Sequence, residues 1–152
     1  MCCSWARRAR AAGYGGHVIA GGHFAALNAE QLLRDVAALD SVACGEGETI
    51  MSDLAVALTT PGGTPDAVAG LVYRDASGAP VRTRPRKKTE ALDDLATPMR
   101  RRPYDTYLGL PIVNMLASRG CMHACAFCSI SAWHKLFGGR RFRLRRFARG
   151  AA

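Results

Sequence analysis

The first sixty residues alternate between helical and strand-like spacing of their hydrophobic positions. Residues 2–12 carry apolar side chains on one helical face, and Gly13 is placed to end that helix. Short apolar runs at residues 17–20 and 41–44 are bounded by glycine-rich segments and predict strands. Strands that alternate with helices indicate βαβ units, so the pattern predicts an α/β fold with a parallel sheet. Two strands are fewer than a stable doubly wound sheet needs.

Two more helices are predicted on either side of the second strand. Asn28, followed three residues later by Gln31, is typical of a capping box that begins a helix. The apolar residues of that helix are Leu32, Leu33, Val36 and Leu39. After the second strand, a Gly-Glu-Gly-Glu turn at residues 45–48 precedes the other helix, whose apolar residues are Ile50, Leu54 and Leu58.

The pattern then changes to a hairpin and a linker. Residues 70–82 alternate like paired strands, and residues 75–78 supply the turn. Residues 83–103 are rich in Pro, Arg and Lys and predict an extended linker, with a short helical turn near residues 92–95. The three arginines at residues 100–102 are expected to be solvated, with phosphate binding as the alternative.

The C-terminal part begins with an apolar run at residues 111–117, which predicts a strand. Helical spacing resumes over residues 129–137, where His134 is expected on the solvent-facing surface. Residues 138–143 are expected to form an exposed turn. The segment between the strand and the helix is therefore a loop, and it contains three cysteines.

The composition is that of an ordinary globular protein, with 49% hydrophobic and 22% charged residues. No run of 18 apolar residues is present, so we expect no membrane partner. The N-terminus turns basic at once and has no apolar core like that of a secretory signal. Unpaired cysteines without an export signal predict a cytoplasmic protein.

The net charge of +9 is concentrated at the C-terminus. Six arginines and no acidic residue lie in residues 138–152, and they account for six of the nine net charges. A basic tail of this kind is either a solvated terminus or a nucleic-acid contact. We expect the former and keep nucleic acid as an alternative partner.

Cys121, Cys125 and Cys128 follow the spacing Cys-x3-Cys-x2-Cys within eight residues. Three thiolates in one loop suit three corners of a [4Fe-4S] cluster and leave the fourth iron without a protein ligand. A zinc site is the alternative, because zinc takes four nitrogen or sulfur ligands and His123 or His134 could supply the fourth. A disulfide is less favoured, since Cys125 and Cys128 are too close in sequence to constrain much of the chain.

This cysteine motif, with Phe127 just before the last cysteine, resembles the signature of the radical S-adenosylmethionine (SAM) superfamily. The resemblance implies that the three cysteines hold the cluster, with Phe127 packing beside it. It implies that the open iron chelates SAM, and that reduction cleaves SAM to a radical that abstracts hydrogen. The loop would then lie at the mouth of the first β/α unit of a barrel, where barrel enzymes place their active sites.

A second resemblance covers residues 17–58, which look like the last third of a cobalamin (B12)-binding domain. In that family a glycine pair follows the fourth strand and contacts the nucleotide tail of the cofactor; Gly21 and Gly22 match it. Glycine has no Cβ, so the backbone can approach a bulky ligand closely. The Gly-Glu-Gly-Glu turn is likewise typical of B12-binding radical SAM proteins. The family's Asp-x-His-x-x-Gly motif is absent, and no Ser-x-Leu motif precedes the glycine pair.

Together the two resemblances predict a piece of a B12-binding-domain radical SAM protein, from a truncated or frameshifted gene. Residues 1–60 would be the end of a Rossmann-like cobalamin-binding half-domain, and residues 61–83 a connecting hairpin. Residues 84–110 would be a linker and residues 111–152 the start of the radical SAM domain. The expected cofactors are a [4Fe-4S] cluster, SAM and cobalamin.

The implied reaction class of full-length members is radical-based methylation or rearrangement. This chain carries only the first β/α unit of the barrel, so its sequence specifies a cluster site more firmly than a complete enzyme, and it names no substrate. Two other functions stay open. One is a small zinc or iron–sulfur module with a nucleic-acid-binding tail, and the other is a fragment without activity.

Overall fold

The computed structural model describes residues 2–100 and 104–146, without the side chains of Cys2 and Cys3. The fold is mixed α/β, as predicted. Its N-terminal part comprises α1 (Cys2–Ala11), β1 (Ile19–Ala20), α2 (His23–Leu27), α3 (Ala29–Asp35), β2 (Ser41–Ala43), α4 (Gly47–Thr59), β3 (Leu71–Arg74) and β4 (Pro80–Arg82). The linker that follows contains a 3₁₀ turn at Leu92–Asp94, where a helical turn was predicted.

One sheet of four strands, in the order β1-β2-β3-β4, organises this part. The predicted parallel pairing of β1 with β2 is confirmed. The expectation of only two strands is wrong, because the hairpin adds β3 antiparallel to β2 and β4 antiparallel to β3. The hairpin turn is built as predicted: Asp75 Oδ1 accepts hydrogen bonds from the backbone N–H groups of Ser77 and Ala79, both at 2.9 Å.

Hydrophobic side chains fill both faces of the sheet. On one face Val42 and Val72 pack with α2 and α3 in a core that includes Leu33. On the other face Ala43 and Leu71 pack with residues of α4 and the segment before β3. Neighbouring residues of a strand point to opposite faces, so β2 supplies both cores and is buried along its whole length. The core residues of the second face are Ala43, Ile50, Leu54, Val68 and Leu71.

Two details of the helices differ from the predictions. Asn28 precedes α3, but its side chain donates a hydrogen bond to Phe24 O, and the Gln31 amide donates to Asp35. The predicted capping box is therefore wrong. Asn28 directly follows the last residue of α2, and both its backbone N–H and its side chain bond to Phe24 O of that helix instead of capping α3. Leu58 is exposed rather than buried, since the second core lies under the first turns of α4.

The C-terminal part consists of two small antiparallel pairs and one helix. Its elements are β5 (Thr106–Tyr107), β6 (Leu110–Pro111), β7 (Ser118–Gly120), α5 (Ser129–Phe137) and β8 (Phe142–Leu144). The helix has its predicted bounds. The strand predicted over residues 111–117 is wrong, because residues 112–117 are exposed and lack a partner strand in the described ranges. Pairing begins only at Ser118, where β8 reaches β7 and forms a two-stranded ribbon.

Helix α5 packs against α2 and joins the two parts of the chain. Trp133 is buried in the same core as Ala25 and Ala26 of α2. Its ring lies edge-on to His23, with the ring centroids 5.3 Å apart. The loop that precedes α5 is therefore carried by a helix seated on the N-terminal α/β part.

Candidate metal centre

The cysteine loop begins at the end of the β7–β8 ribbon. Gly120 has φ +95°, and a Cβ at this position would lie 1.9 Å from Arg141 O. Only glycine fits here, since both the backbone conformation and the close neighbour exclude a side chain. The next N–H, that of Cys121, donates to the same Arg141 O at 3.0 Å. The ribbon thus fixes the backbone of the first cysteine.

The other end of the loop is fixed by α5. Cys128 is the residue that precedes the helix, and its carbonyl accepts hydrogen bonds from Ser131 N at 3.0 Å and Ala132 N at 3.3 Å. Cys128 N donates to Cys125 O at 3.2 Å, so a tight turn brings the backbones of these two cysteines together. The N-terminus of a helix favours negative charge, which suits a thiolate-bound cluster at this position.

All three loop cysteines are free thiols; Cys125 is exposed, and Cys121 and Cys128 are partly buried. Among the residues that the structure describes, no three His, Cys, Asp or Glu side chains are gathered closely enough to hold a metal ion. Cysteine thiols are the donors that iron–sulfur clusters use, but the structure does not bring these three side chains together around one point. Phe127, expected beside the cluster, has a side chain that is 93% exposed.

His134 is buried, so its predicted place on the helix surface is wrong. Lys88 Nζ donates a hydrogen bond to His134 Nδ1 at 2.7 Å, and Nζ lies 4.3 Å from the centroid of the Trp133 ring. Burial is the main cause that lowers the pKa of His134, and the charge of Lys88 lowers it further. Burial also lowers the pKa of Lys88. Helical spacing alone did not indicate this contact, because Lys88 comes from the linker.

An ion-pair network beside the loop was also not predicted. Glu46, in the turn after β2, accepts hydrogen bonds from Arg143 Nη2 at 2.5 Å and Nη1 at 3.0 Å, and from Arg119 Nη1 at 3.2 Å. Arg119 Nη2 also donates to Glu48 at 2.6 Å. Burial opposes the ionisation of Glu46, but the bonds from Arg143 and Arg119 outweigh it and lower the pKa. The only sequence signal was the position of two acids in the Gly-Glu-Gly-Glu turn.

A cavity of about 340 Å³ lies where these segments meet, and Gly22 lies on its wall. Gly22 has φ +90°, and nothing lies within 4 Å of a Cβ built there. A Cβ at Gly21 would touch only Ala43, at 3.8 Å. Both glycines are exposed, so the C-terminal end of β1 is open to a ligand. The remaining wall comes from the Gly-Glu-Gly-Glu turn, β7, β8 and α5, in particular from Gly45, Glu46, Arg119, Gly120, Trp133 and His134.

Several arginines of the basic C-terminal segment form hydrogen bonds with other residues of this chain. Arg143 is buried, Arg141 donates to His123 O at 2.6 Å, and Arg145 donates to Leu95 O at 3.3 Å. The prediction of an exposed turn therefore fails at Arg143, which lies in β8 instead. Arg149, and Arg101 and Arg102 of the linker, lie outside the described residues. In the described ranges, no helix has both the length and the apolar character needed to cross a bilayer.

Comparison with known proteins gives one informative similarity. Over 129 residues, or 83% of this chain, the sequence is 32% identical to an uncharacterized methyltransferase of Pyrococcus horikoshii. The aligned part spans 27% of that relative's length. No protein-family model matches the chain, and no solved structure matches it significantly.

Proposed function

We propose that this chain is part of a methyltransferase of the B12-binding radical SAM class, in which the cysteine loop holds a [4Fe-4S] cluster. The observation that carries the proposal is the Cys-x3-Cys-x2-Cys loop itself, with free thiols and both ends anchored by backbone hydrogen bonds. The similarity to an uncharacterized methyltransferase supports methylation over rearrangement.

In this proposal Cys121, Cys125 and Cys128 bind three irons of the cluster. When bound, the cluster supplies the electron that cleaves SAM. The chain's own residues do three things. The ribbon holds the backbone of Cys121, α5 holds that of Cys128, and Phe127, which is 93% exposed in the structure, would pack beside the cluster once the cluster is bound.

The cobalamin part of the proposal rests on Gly21 and Gly22. The end of β1 is open, and Gly22 lines a cavity that extends to the ribbon from which the cysteine loop begins. A nucleotide tail at the glycine pair would therefore lie beside the ribbon that leads into the cysteine loop. The proposed division keeps residues 1–60 as the cobalamin-binding half-domain and residues 111–152 as the start of the radical SAM domain.

Anaerobic reconstitution with iron and sulfide tests the cluster directly. We expect the purified chain to bind about four irons and four sulfides with the broad visible absorption of an iron–sulfur cluster. The triple variant with Cys121, Cys125 and Cys128 changed to alanine should bind none. Cys44→Ala is the matched control, because Cys44 is buried in the core and burial raises the pKa of its thiol.

Metal analysis of the same samples separates the alternatives. One zinc per chain that survives reconstitution would contradict the proposal in favour of a zinc site. Cluster absorption that persists in the triple variant would also contradict it, because the ligands would then lie elsewhere.

A further inference from the structure

The β7–β8 ribbon places two positive charges opposite each other. Arg119 of β7 and Arg143 of β8 are directly paired across the strands. Like charges at such positions destabilise an antiparallel pair. Arg143 is only 4% exposed, so water screens its charge poorly. The register of the ribbon therefore requires a counter-ion at this point.

Glu46 supplies that counter-ion. Its carboxylate receives a fork of two hydrogen bonds from Arg143 and a third bond from Arg119. A fourth comes from the backbone N–H of Thr89 at 3.2 Å. The side chain of Glu46 is 6% exposed, so this is a buried and hydrogen-bonded pair rather than a surface contact. One carboxylate thus ties both strands of the ribbon to the turn after β2.

The ribbon in turn determines where the cysteine loop starts. Gly120, which follows Arg119, pairs with Phe142, and the N–H of Cys121 bonds to Arg141 O at 3.0 Å. A change in the register or twist of the ribbon would therefore move Cys121 directly. No other side-chain carboxylate in the described residues contacts both Arg119 and Arg143.

We propose that Glu46 is a positioning residue for the cysteine loop, acting through Arg119 and Arg143 to fix the ribbon from which Cys121 emerges. The inference rests on the proposed function, since the position of Cys121 has a chemical consequence only when the loop binds a cluster. Glu46 touches neither the cluster ligands nor the loop between them. Glu46 and Cys121 are 75 residues apart in the sequence, so the effect of Glu46 on the backbone of Cys121 is a tertiary one.

Hydrogen exchange of the full chain without metal tests the mechanical step. In Glu46→Gln the amide of Cys121 should exchange about tenfold faster than in the wild-type chain, because a buried charge pair has lost one partner. The amide of Asp40, which bonds to Val18 O in the N-terminal part, should change less than about twofold. Glu30→Gln is the control; it removes a partly exposed acid whose partner is Arg82 of β4, outside the ribbon, and should leave Cys121 unchanged.

A double variant tests whether Glu46 acts through the arginines. Adding Arg143→Met to Glu46→Gln removes the unpaired buried charge, so exchange at Cys121 should return to within about threefold of wild type. If Glu46→Gln does not fold, Arg119→Met serves instead, because it leaves the Glu46–Arg143 pair intact and loosens β7 alone. Equal acceleration at Cys121 and Asp40, or no change at Cys121, would overturn the inference.

A spectroscopic readout links this step to the cluster. After reconstitution, Glu46→Gln should hold as much iron as the wild-type chain but give a different electron paramagnetic resonance line shape when reduced. An unchanged line shape would overturn the positioning role. If the wild-type chain assembles no cluster, the proposed function fails, and the exchange measurement still decides whether Glu46 fixes the ribbon.

Discussion

Lys88 donates a hydrogen bond to Nδ1 of His134, although 46 residues separate them and both side chains are buried. Because Nδ1 accepts this bond, the neutral imidazole carries its proton on Nε2, the nitrogen nearer Gly120. The linker is therefore attached to the helix that follows the cysteine loop. The ammonium group also rests on the ring of Trp133, which is worth about 1 kcal/mol in such contacts.

Replacing Lys88 by methionine should raise the pKa of His134. The charge of Lys88 is one cause of the lowered pKa, and methionine removes it while keeping an apolar stem of similar length. Burial, the larger cause, persists in the variant, so the pKa should rise without passing its ordinary value of 6.5. An NMR titration of the imidazole measures the shift. An unchanged or lower pKa would contradict the pairing of these two residues.

Stability should fall on mild acidification because of two histidines. Burial lowers the pKa values of His17 and His134 from 6.5, so the unfolded chain binds protons more readily than the folded chain. Their contribution is fully present above pH 6.5 and is lost as the pH falls towards the folded pKa values. Urea unfolding at a series of pH values measures it, and His134→Gln should flatten the curve in this window. An equally steep curve in that variant would contradict the prediction.

A second loss of folding stability should follow at lower pH. The pKa values of Glu46 and Glu48 are lowered from 4.5, in Glu46 against the effect of burial and in Glu48 chiefly by the hydrogen bond from Arg119. Their contribution is present above pH 4.5 and is lost as the pH falls through the folded pKa values. Glu46→Gln should reduce this second loss and leave the first one in place; part of the second loss remains, because Glu48, Glu30 and Asp75 also have lowered pKa values. The same urea series checks this, and an unaltered second loss would argue against the ion-pair network.

Arg143→Met should destabilise the fold far more than Arg146→Met. Arg143 pairs with Glu46 in the interior, and removing one partner of a buried pair costs about 3 kcal/mol. Arg146 lies 3.9 Å from Asp93 and is 89% exposed, so its loss should cost less than about 0.5 kcal/mol. Urea denaturation at neutral pH compares the two. Equal effects would mean that β8 is not held as the structure shows.

Gly120→Ala should disturb the start of the cysteine loop. The new Cβ would overlap Arg141 O, and the residue would keep a positive φ, for a combined cost of more than about 2 kcal/mol. Gly13→Ala is the control, because Gly13 has φ +84° with nothing within 4 Å of a Cβ. That change should cost about 1 kcal/mol. Thermal unfolding measures both, and comparable losses would contradict the close contact at Gly120.

The sequence predicted the elements whose signals are local. Helical spacing gave α5 at its observed bounds, and the Asp75 turn gave the hairpin, since these depend on residues within a few positions of each other. The apolar run at residues 112–117 led to a wrong strand prediction, because that prediction also used only local residues. Strand-like composition does not say whether a partner strand is present, and pairing begins only at Ser118.

The contacts around the candidate site could not be predicted from the sequence, because they join segments that are far apart along the chain. His134 was expected on the surface, yet its burial depends on Lys88 from the linker. Arg143 was expected in an exposed turn, yet it pairs with Glu46 across 97 residues. Charged residues are usually exposed, so nothing in the local sequence marked this arginine as buried. The three cysteines, by contrast, stand out from their spacing alone, and their role as cluster ligands stays a prediction.

The central claim is a cluster held by Cys121, Cys125 and Cys128 with one iron left open. Electron paramagnetic resonance of the reconstituted and reduced chain, recorded with and without added SAM, tests it most directly. We predict a signal in the wild-type chain and in Cys44→Ala, its absence in the triple cysteine variant, and a changed line shape when SAM is added. No signal in the wild-type chain, a signal that persists in the triple variant, or a line shape indifferent to SAM would contradict the claim.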